Sequence, residues 1–184
     1  MGGRGQPSGF FTVRRTLGRK GKAHSIDESL TVNPHFGEGE EWRTNCQRCV
    51  YAYEMQRRGY DVEALPKIMN GVDDPAKNWR HIMDGQTWER MPQRNTIVKI
   101  LDTMYKWGDG ARAVVYVAWK DHKSAHVFIA EQQGIGTIFA DPQTGQYVDI
   151  NSYMDYAIKG KTEISRIDNL KPSDSIKDYV KRRK

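Results

Sequence analysis

The sequence predicts an α+β fold in which N-terminal helices pack on a small antiparallel sheet. Three observations predict it. A well-punctuated helical run occupies residues 44–59, and a second amphipathic run follows at 95–107. Three β-branched and aromatic runs then come in quick succession from residue 113 onward. The strands are separated by short turns, not by helical crossovers, which excludes a doubly wound parallel sheet.

The elements can be justified in chain order. Residues 1–24 are rich in Gly, Arg and Lys with little apolar periodicity, so they read as a flexible basic leader or linker ahead of one folded domain at 25–184. Residues 25–41, with Asn33-Pro34 and several glycines, read as irregular chain. Thr44 or Asn45 suits a helix start. Cys46, Cys49 or Val50, and Tyr53 then share a face, Arg57 and Arg58 complement the negative helix end, and Gly59 suits the left-handed cap. A short extended piece ends at Pro66, and the mixed segment after it offers Trp79, Ile82, Met83 and Trp88 to a core. The second helix presents Ile97, Ile100, Leu101 and Met104 on its apolar face and stops at Gly108. The strands are Ala113–Trp119, His126–Glu131 and Thr137–Asp141, with turns at Gln132–Gly136 and at Asp141–Gly145. Residues 147–158 read as a short strand or helix, and 163–168 as an edge strand.

Size and composition set limits. The 184 residues suffice for one domain with a real core. No stretch reaches the roughly 20 apolar residues that span a bilayer, and the first residues lack the pattern of a secretory signal, so export would need another carrier. The net charge of +6 is concentrated at the two ends. Such runs are commonly solvated; nucleic-acid attraction is the alternative, weakened here because no aromatic residues interleave with the basic ones. The two cysteines, Cys46 and Cys49, are too few for a four-cysteine zinc site or a disulfide framework. A redox pair would be expected just after a strand, and none precedes them. No metal-ligand spacing or phosphate-binding glycine loop stands out, so no cofactor is expected.

The candidate chemistry lies elsewhere. A helix N-terminus stabilises a thiolate through its unpaired N–H groups and dipole, and Cys46 has that position while Cys49 sits a turn deeper. The plain alternative is that both are small core residues of the helix. If the hairpin pairs about a centre between Gln133 and Gly134, His126 and Asp141 fall directly opposite each other on one face. An Asp there would fix the imidazole tautomer and leave the other ring nitrogen for a thiol proton. A slip of one residue would place them on opposite faces. His24, His35, His81 and His122 lie in segments with no such arrangement.

These residues carry a resemblance. Asn45-Cys46-Gln47-Arg48-Cys49, Arg57-Arg58-Gly59-Tyr60-Asp61-Val62 with Ala64-Leu65-Pro66, Ala125-His126-Val127-Phe128 and Asp141-Pro142-Gln143-Thr144-Gly145 together resemble the papain-like toxin glutamine deamidases, over roughly residues 30–150. Such domains occur in bacterial polymorphic toxins and at the ends of phage minor head proteins, and Val32-Asn33-Pro34 resembles the latter. The resemblance implies a papain-like fold and a cofactor-free amidohydrolase that converts protein glutamine to glutamate. Cys46 would be nucleophile, His126 general base and then acid, and Asp141 the orienting carboxylate; Gln143 would help position substrate or an oxyanion. The sequence departs from papain-type proteases in having Glu41, Trp42 and Arg43 where they place an oxyanion-donating Gln. The Cys46 N–H and Asn45 are then the candidate donors. The resemblance also implies a protein substrate and an immunity or parent phage or toxin partner. Peptide cleavage by the same thiol and a non-catalytic phage-head role remain open at this level.

Overall fold

The computed structural model describes residues 8–69, 73–120 and 123–184, with side chains described from residue 12 onward. His122 lies outside the described residues. The chain begins with α1 (Ser8–Leu17) and the short turns of helix α2 (Ile26–Ser29) and α3 (Glu40–Arg43). Then come α4 (Cys46–Arg57) and strand β1 (Val62–Ala64), a 3₁₀ segment at Pro75–His81, and strand β2 (Glu89–Arg90). Helix α5 (Thr96–Trp107) leads into β3 (Arg112–Ala118), β4 (Ala125–Gln133), β5 (Gly136–Asp141) and β6 (Gln146–Tyr147). Helix α6 (Ile150–Tyr156), β7 (Glu163–Arg166), a second 3₁₀ segment at Asp174–Asp178 and β8 (Val180–Arg182) complete it.

Six strands form one antiparallel sheet in the order β2-β7-β3-β4-β5-β6, and β1 pairs with β8 in a separate ribbon. Strand alternation divides the core in two. Val114, Val127, Ile129 and Ala140 face α4, whereas Ala113, Val115, Val117, Phe128, Ala130 and Phe139 face α5 and α6. Strand β7 is not an edge: β2 covers it on one side and β3 on the other, its charged ends Glu163 and Arg166 finding partners in Arg80 and Asp168.

Helix α4 is the central element, buried on nearly every side from Arg48 to Gln56. A one-faced amphipathic helix is therefore the wrong description. Its polar residues are tolerated because each is paired inside the protein. Glu54, fully buried, takes Arg58 from its own helix and Arg112 from β3, while Arg57 and the Tyr53 hydroxyl reach the equally buried Glu131 on β4. At the other end Arg48 donates to Asp74 and to the Asp178 carbonyl. The helix stops in a Schellman motif: Tyr60 N–H bonds the Met55 carbonyl at 3.0 Å and Gly59 N–H that of Gln56 at 2.9 Å. Gly59 is required there twice over, since its φ is +97° and a Cβ would lie 2.3 Å from the Gly21 carbonyl oxygen.

The flexible leader expected over 1–24 does not hold from residue 8. Residues 8–17 are helical, Leu17 is 1% exposed, and Val13 packs on the α4-side core. Gly21 N–H and His24 N–H then bond the carbonyls of Gly59 and Gln56, tying the segment to the end of α4. Two apolar anchors among many basic residues were enough to dock it, which the low apolar periodicity concealed. Helix α5 also turns slightly from its expected face: Ile100, Thr103 and Met104 are buried and Leu101 is not. No helix among the described residues is long and apolar enough to cross a membrane.

Candidate functional site

The β4–β5 hairpin differs from the expected register by two residues. Ile129 pairs with Ala140 and Gln133 with Gly136, so the loop is only Gly134-Ile135, with Gly134 at a φ of +57°. A glycine at the first central position of a two-residue loop is the pattern of a type II′ hairpin. Continuing the register sets Asp141 opposite Phe128, not opposite His126. A two-residue slip preserves the face, whereas a one-residue slip would not. His126 and Asp141 are therefore diagonal neighbours, still within reach of long side chains. His126 Nε2 and Asp141 Oδ2 lie 2.8 Å apart.

Asp141 is 1% exposed and its oxygens are fully used. Oδ2 also accepts from the Tyr153 hydroxyl at 3.0 Å, and Oδ1 from the Gln143 N–H at 3.0 Å in an Asx turn that Pro142 begins. Gly145, at φ +73°, closes this turn by donating to the Asp141 carbonyl. Burial would raise the Asp141 pKa, but the bond to His126, its charge and the other donors hold it below the usual carboxylate range.

With Nε2 committed to Asp141, Nδ1 is the ring nitrogen left for the thiol. Cys46 begins α4, half-buried, and after Asp141 it is the second group that favours the charged His126 ring. Burial alone would depress the imidazolium. The Asp141 bond, then Cys46, outweigh it and push the His126 pKa up to about 10. Trp119 stacks on the imidazole at 6.1 Å, and Tyr153 meets it edge-on at 6.2 Å, shielding the His–Asp bond from water. His126 faces the α5–α6 core with Phe128, while Cys46 packs on the α4 side, so the group forms at the strand end where the two layers meet.

Cys49 has no part in this arrangement. It is fully buried, its thiol 3.3 Å from Asn45 Oδ1, and burial pushes its pKa well above the ordinary thiol value. Both cysteines are free. Asn45 precedes α4 but its side chain makes no cap bond. It is 1% exposed, and its amide nitrogen donates to Asn33 Oδ1 at 3.2 Å and to the Leu65 carbonyl at 3.1 Å. Asn33 in turn donates to the Trp42 and Gln143 carbonyls, both at 2.9 Å. The pair Asn33–Asn45 thus sutures the α4 start to the Asp141 turn, leaving the Asn45 amide no donor to spare. Gln143 is the opposite case: its Nε2 is buried with no partner among the described residues.

The other described histidines are engaged elsewhere or exposed: His24 on Gln56, His35 on Glu38, and His81 facing solvent. No cluster of three metal-ligating side chains occurs among the described residues. Tyr153, Trp119 and Asn33 were not visible as site residues from sequence; only Asn33, through the Val32-Asn33-Pro34 run, carried a local signal.

No curated protein and no solved structure matches the chain. Residues 44–146, which run from the start of α4 past the Asp141 turn, match the family described as papain fold toxin 1, glutamine deamidase. That match covers more than half of the sequence, and the chain belongs to the papain fold toxin 1 glutamine deamidase family.

Proposed function

We propose that this protein is a cysteine-dependent toxin deamidase that hydrolyses the side-chain amide of glutamine in a target protein, using Cys46, His126 and Asp141. The observation that carries the reading is the His126 ring bonded at 2.8 Å to a buried carboxylate, with a half-buried cysteine at the first position of the central helix adding to the stabilisation of its cation. In such an arrangement the imidazole takes the thiol proton as the sulfur becomes the nucleophile. The thiolate attacks the amide carbon, the imidazolium gives its Nδ1 proton to the amide nitrogen as the C–N bond breaks, ammonia leaves, and a thioester remains. Water, deprotonated by the imidazole, then cleaves the thioester to the acid and restores the thiol.

The Cys46 N–H at the helix start is one oxyanion donor. The unpartnered Gln143 amide supports the second donor or substrate-anchor role for that residue, and Asn45 is better suited to positioning than to donation. Peptide cleavage would use the same three residues. The family described for residues 44–146 favours deamidation.

The test is a glutamine analogue bearing an electrophile in place of the amide. It should label Cys46 in the native protein, and labelling should disappear in His126→Ala. With a glutamine-containing peptide, ammonia release and conversion of Gln to Glu in an intact chain are expected. A cut chain would establish the protease, and adducts at Cys49 would discard the proposed nucleophile.

A further inference from the structure

The two basic ends of the chain converge in the fold. Helix α1 packs along β8 and the second 3₁₀ segment, and β8 is itself fixed by pairing with β1. Between them lies a cavity of about 990 Å³ lined by Arg14, Arg15, Arg19, Lys20 and Arg182, with Val13, Leu17, Gly18 and Tyr60 as its apolar wall. That volume is at the upper end of small-molecule sites, roughly 300–1,000 Å³. No carboxylate lines it. The neighbouring cations are spent: Lys181 pairs with Glu63 at 2.9 Å, and Arg183 donates to the Thr31 carbonyl and hydroxyl. The five lining cations make no ion pair among the described residues.

Two contacts set the backbone that carries these charges. Leu17 anchors the end of α1 in the core, and Gly18 (φ +77°) turns the chain so that the Arg182 stem crosses it, Arg182 Cδ lying 2.8 Å from where a Cβ would be. Like charges held together without counter-charge cost stability. Guanidinium forks suit phosphate oxygens, which accept two parallel N–H bonds each. We propose that this cavity binds a compact, multiply phosphorylated ligand. A nucleic-acid strand fits less well, because the cations ring a concavity in which Tyr60 is the one aromatic residue among the described lining residues, too few to stack successive bases. The phosphates could be those of a free polyphosphate or of a phosphoinositide headgroup; the experiment separates the two.

Calorimetric titration of the full chain with inorganic tripolyphosphate should show saturable binding. Arg19→Gln/Arg182→Gln should weaken it by about tenfold or more, as loss of charge-assisted bonds does. Lys159→Gln/Lys161→Gln, with the same charge removed from exposed positions outside the cavity lining, should leave it unchanged. The denaturant midpoint of the arginine variant should be no lower than that of the native chain, which separates lost binding from unfolding. Flotation with phosphoinositide vesicles, against phosphatidylserine vesicles of equal charge, identifies a headgroup if only the former carry the protein, and a free ligand if neither does. Absence of tripolyphosphate binding, equal losses in the two variants, or equally tight binding of a single-stranded DNA would overturn the proposal. None of these measurements involves Cys46.

Discussion

Asp141→Asn isolates the electrostatics of the site. Asparagine keeps the size of the side chain and a carbonyl oxygen for His126 and Tyr153, and removes the charge. In the native protein His126 is lifted from 6.5 to about 10 against the opposing effect of burial, with the Asp141 hydrogen bond the largest raising contribution. The difference corresponds to about 5 kcal/mol at 1.36 kcal/mol per pH unit. The substitution removes both that hydrogen bond and the Asp141 charge, so the His126 midpoint should fall by roughly one to three pH units, or about 1–4 kcal/mol. Direct NMR titration of the imidazole carbon-bound protons measures this without any substrate.

The stability consequence has a definite sign. A group whose folded pKa is raised stabilises the fold fully below its unfolded value and loses that contribution as pH climbs through the folded value. The excess denaturant midpoint of native protein over Asp141→Asn should therefore be largest between the carboxylate range and pH 6.5, and shrink as pH approaches about 10. Deamidase activity should drop by on the order of 10²–10⁴ and lose its alkaline range, because the imidazolium that protonates the leaving nitrogen no longer persists there. A native His126 that titrates near 6.5, or a midpoint unmoved by the substitution, would mean that Asp141 does not hold the imidazole in its charged form.

Other substitutions test neighbouring parts of the argument. Cys46→Ala should abolish ammonia release with little change in melting temperature. Cys49→Ala should keep activity and lose about 1–2 kcal/mol by denaturant titration, from a small core void and the bond to Asn45. Glu131→Ala strands Arg57 and the Tyr53 hydroxyl, and should cost about 3–5 kcal/mol. Gly59→Ala should cost about 1–3 kcal/mol, since both its φ and the Gly21 carbonyl oppose a Cβ. Tyr153→Phe should leave the His126 midpoint high, because Asp141 stays ionised, and should instead move the Asp141 pKa upward, read as an acid-side shift in the stability profile.

What the sequence made legible was what local chemistry determines. Helix α4 carried its own cap and stop residues, and the strands their β-branched runs, so their bounds differ by a residue or two from those expected. The His126–Asp141 juxtaposition was legible through parity: any hairpin register of even offset keeps the two on one face, although the pairing register proved two residues away from the one assumed. Tyr153 was hidden because nothing local says that α6 folds back over the end of β4 and β5. The all-round burial of α4 was hidden for a related reason. Arg48, Glu54 and Arg57 look like solvent-facing residues until Asp74, Arg112 and Glu131 arrive from other elements.

That last disguise bears on how the site is kept in order. A buried ion pair is weak evidence for net stability, because desolvation offsets much of its attraction. Its geometric demands are strong, however, since a charge left unpaired in the core is costly. Glu54 fixes α4 to β3 through Arg112, Glu131 fixes it to β4 through Arg57, and Arg48 fixes its first turn to the segment before β2. An apolar helix could rotate or slide in this position with modest loss; this one would break three pairs. The sulfur of Cys46 at one end of α4 and the imidazole on β4 are thereby held in one relation by contacts that lie mostly a full helix length away. Replacing Glu54 and Arg112 together by leucine and methionine should then preserve the melting temperature better than either single change, while deamidation falls as the helix gains freedom. Full activity in such a double variant would mean that packing alone sets the Cys46–His126 geometry.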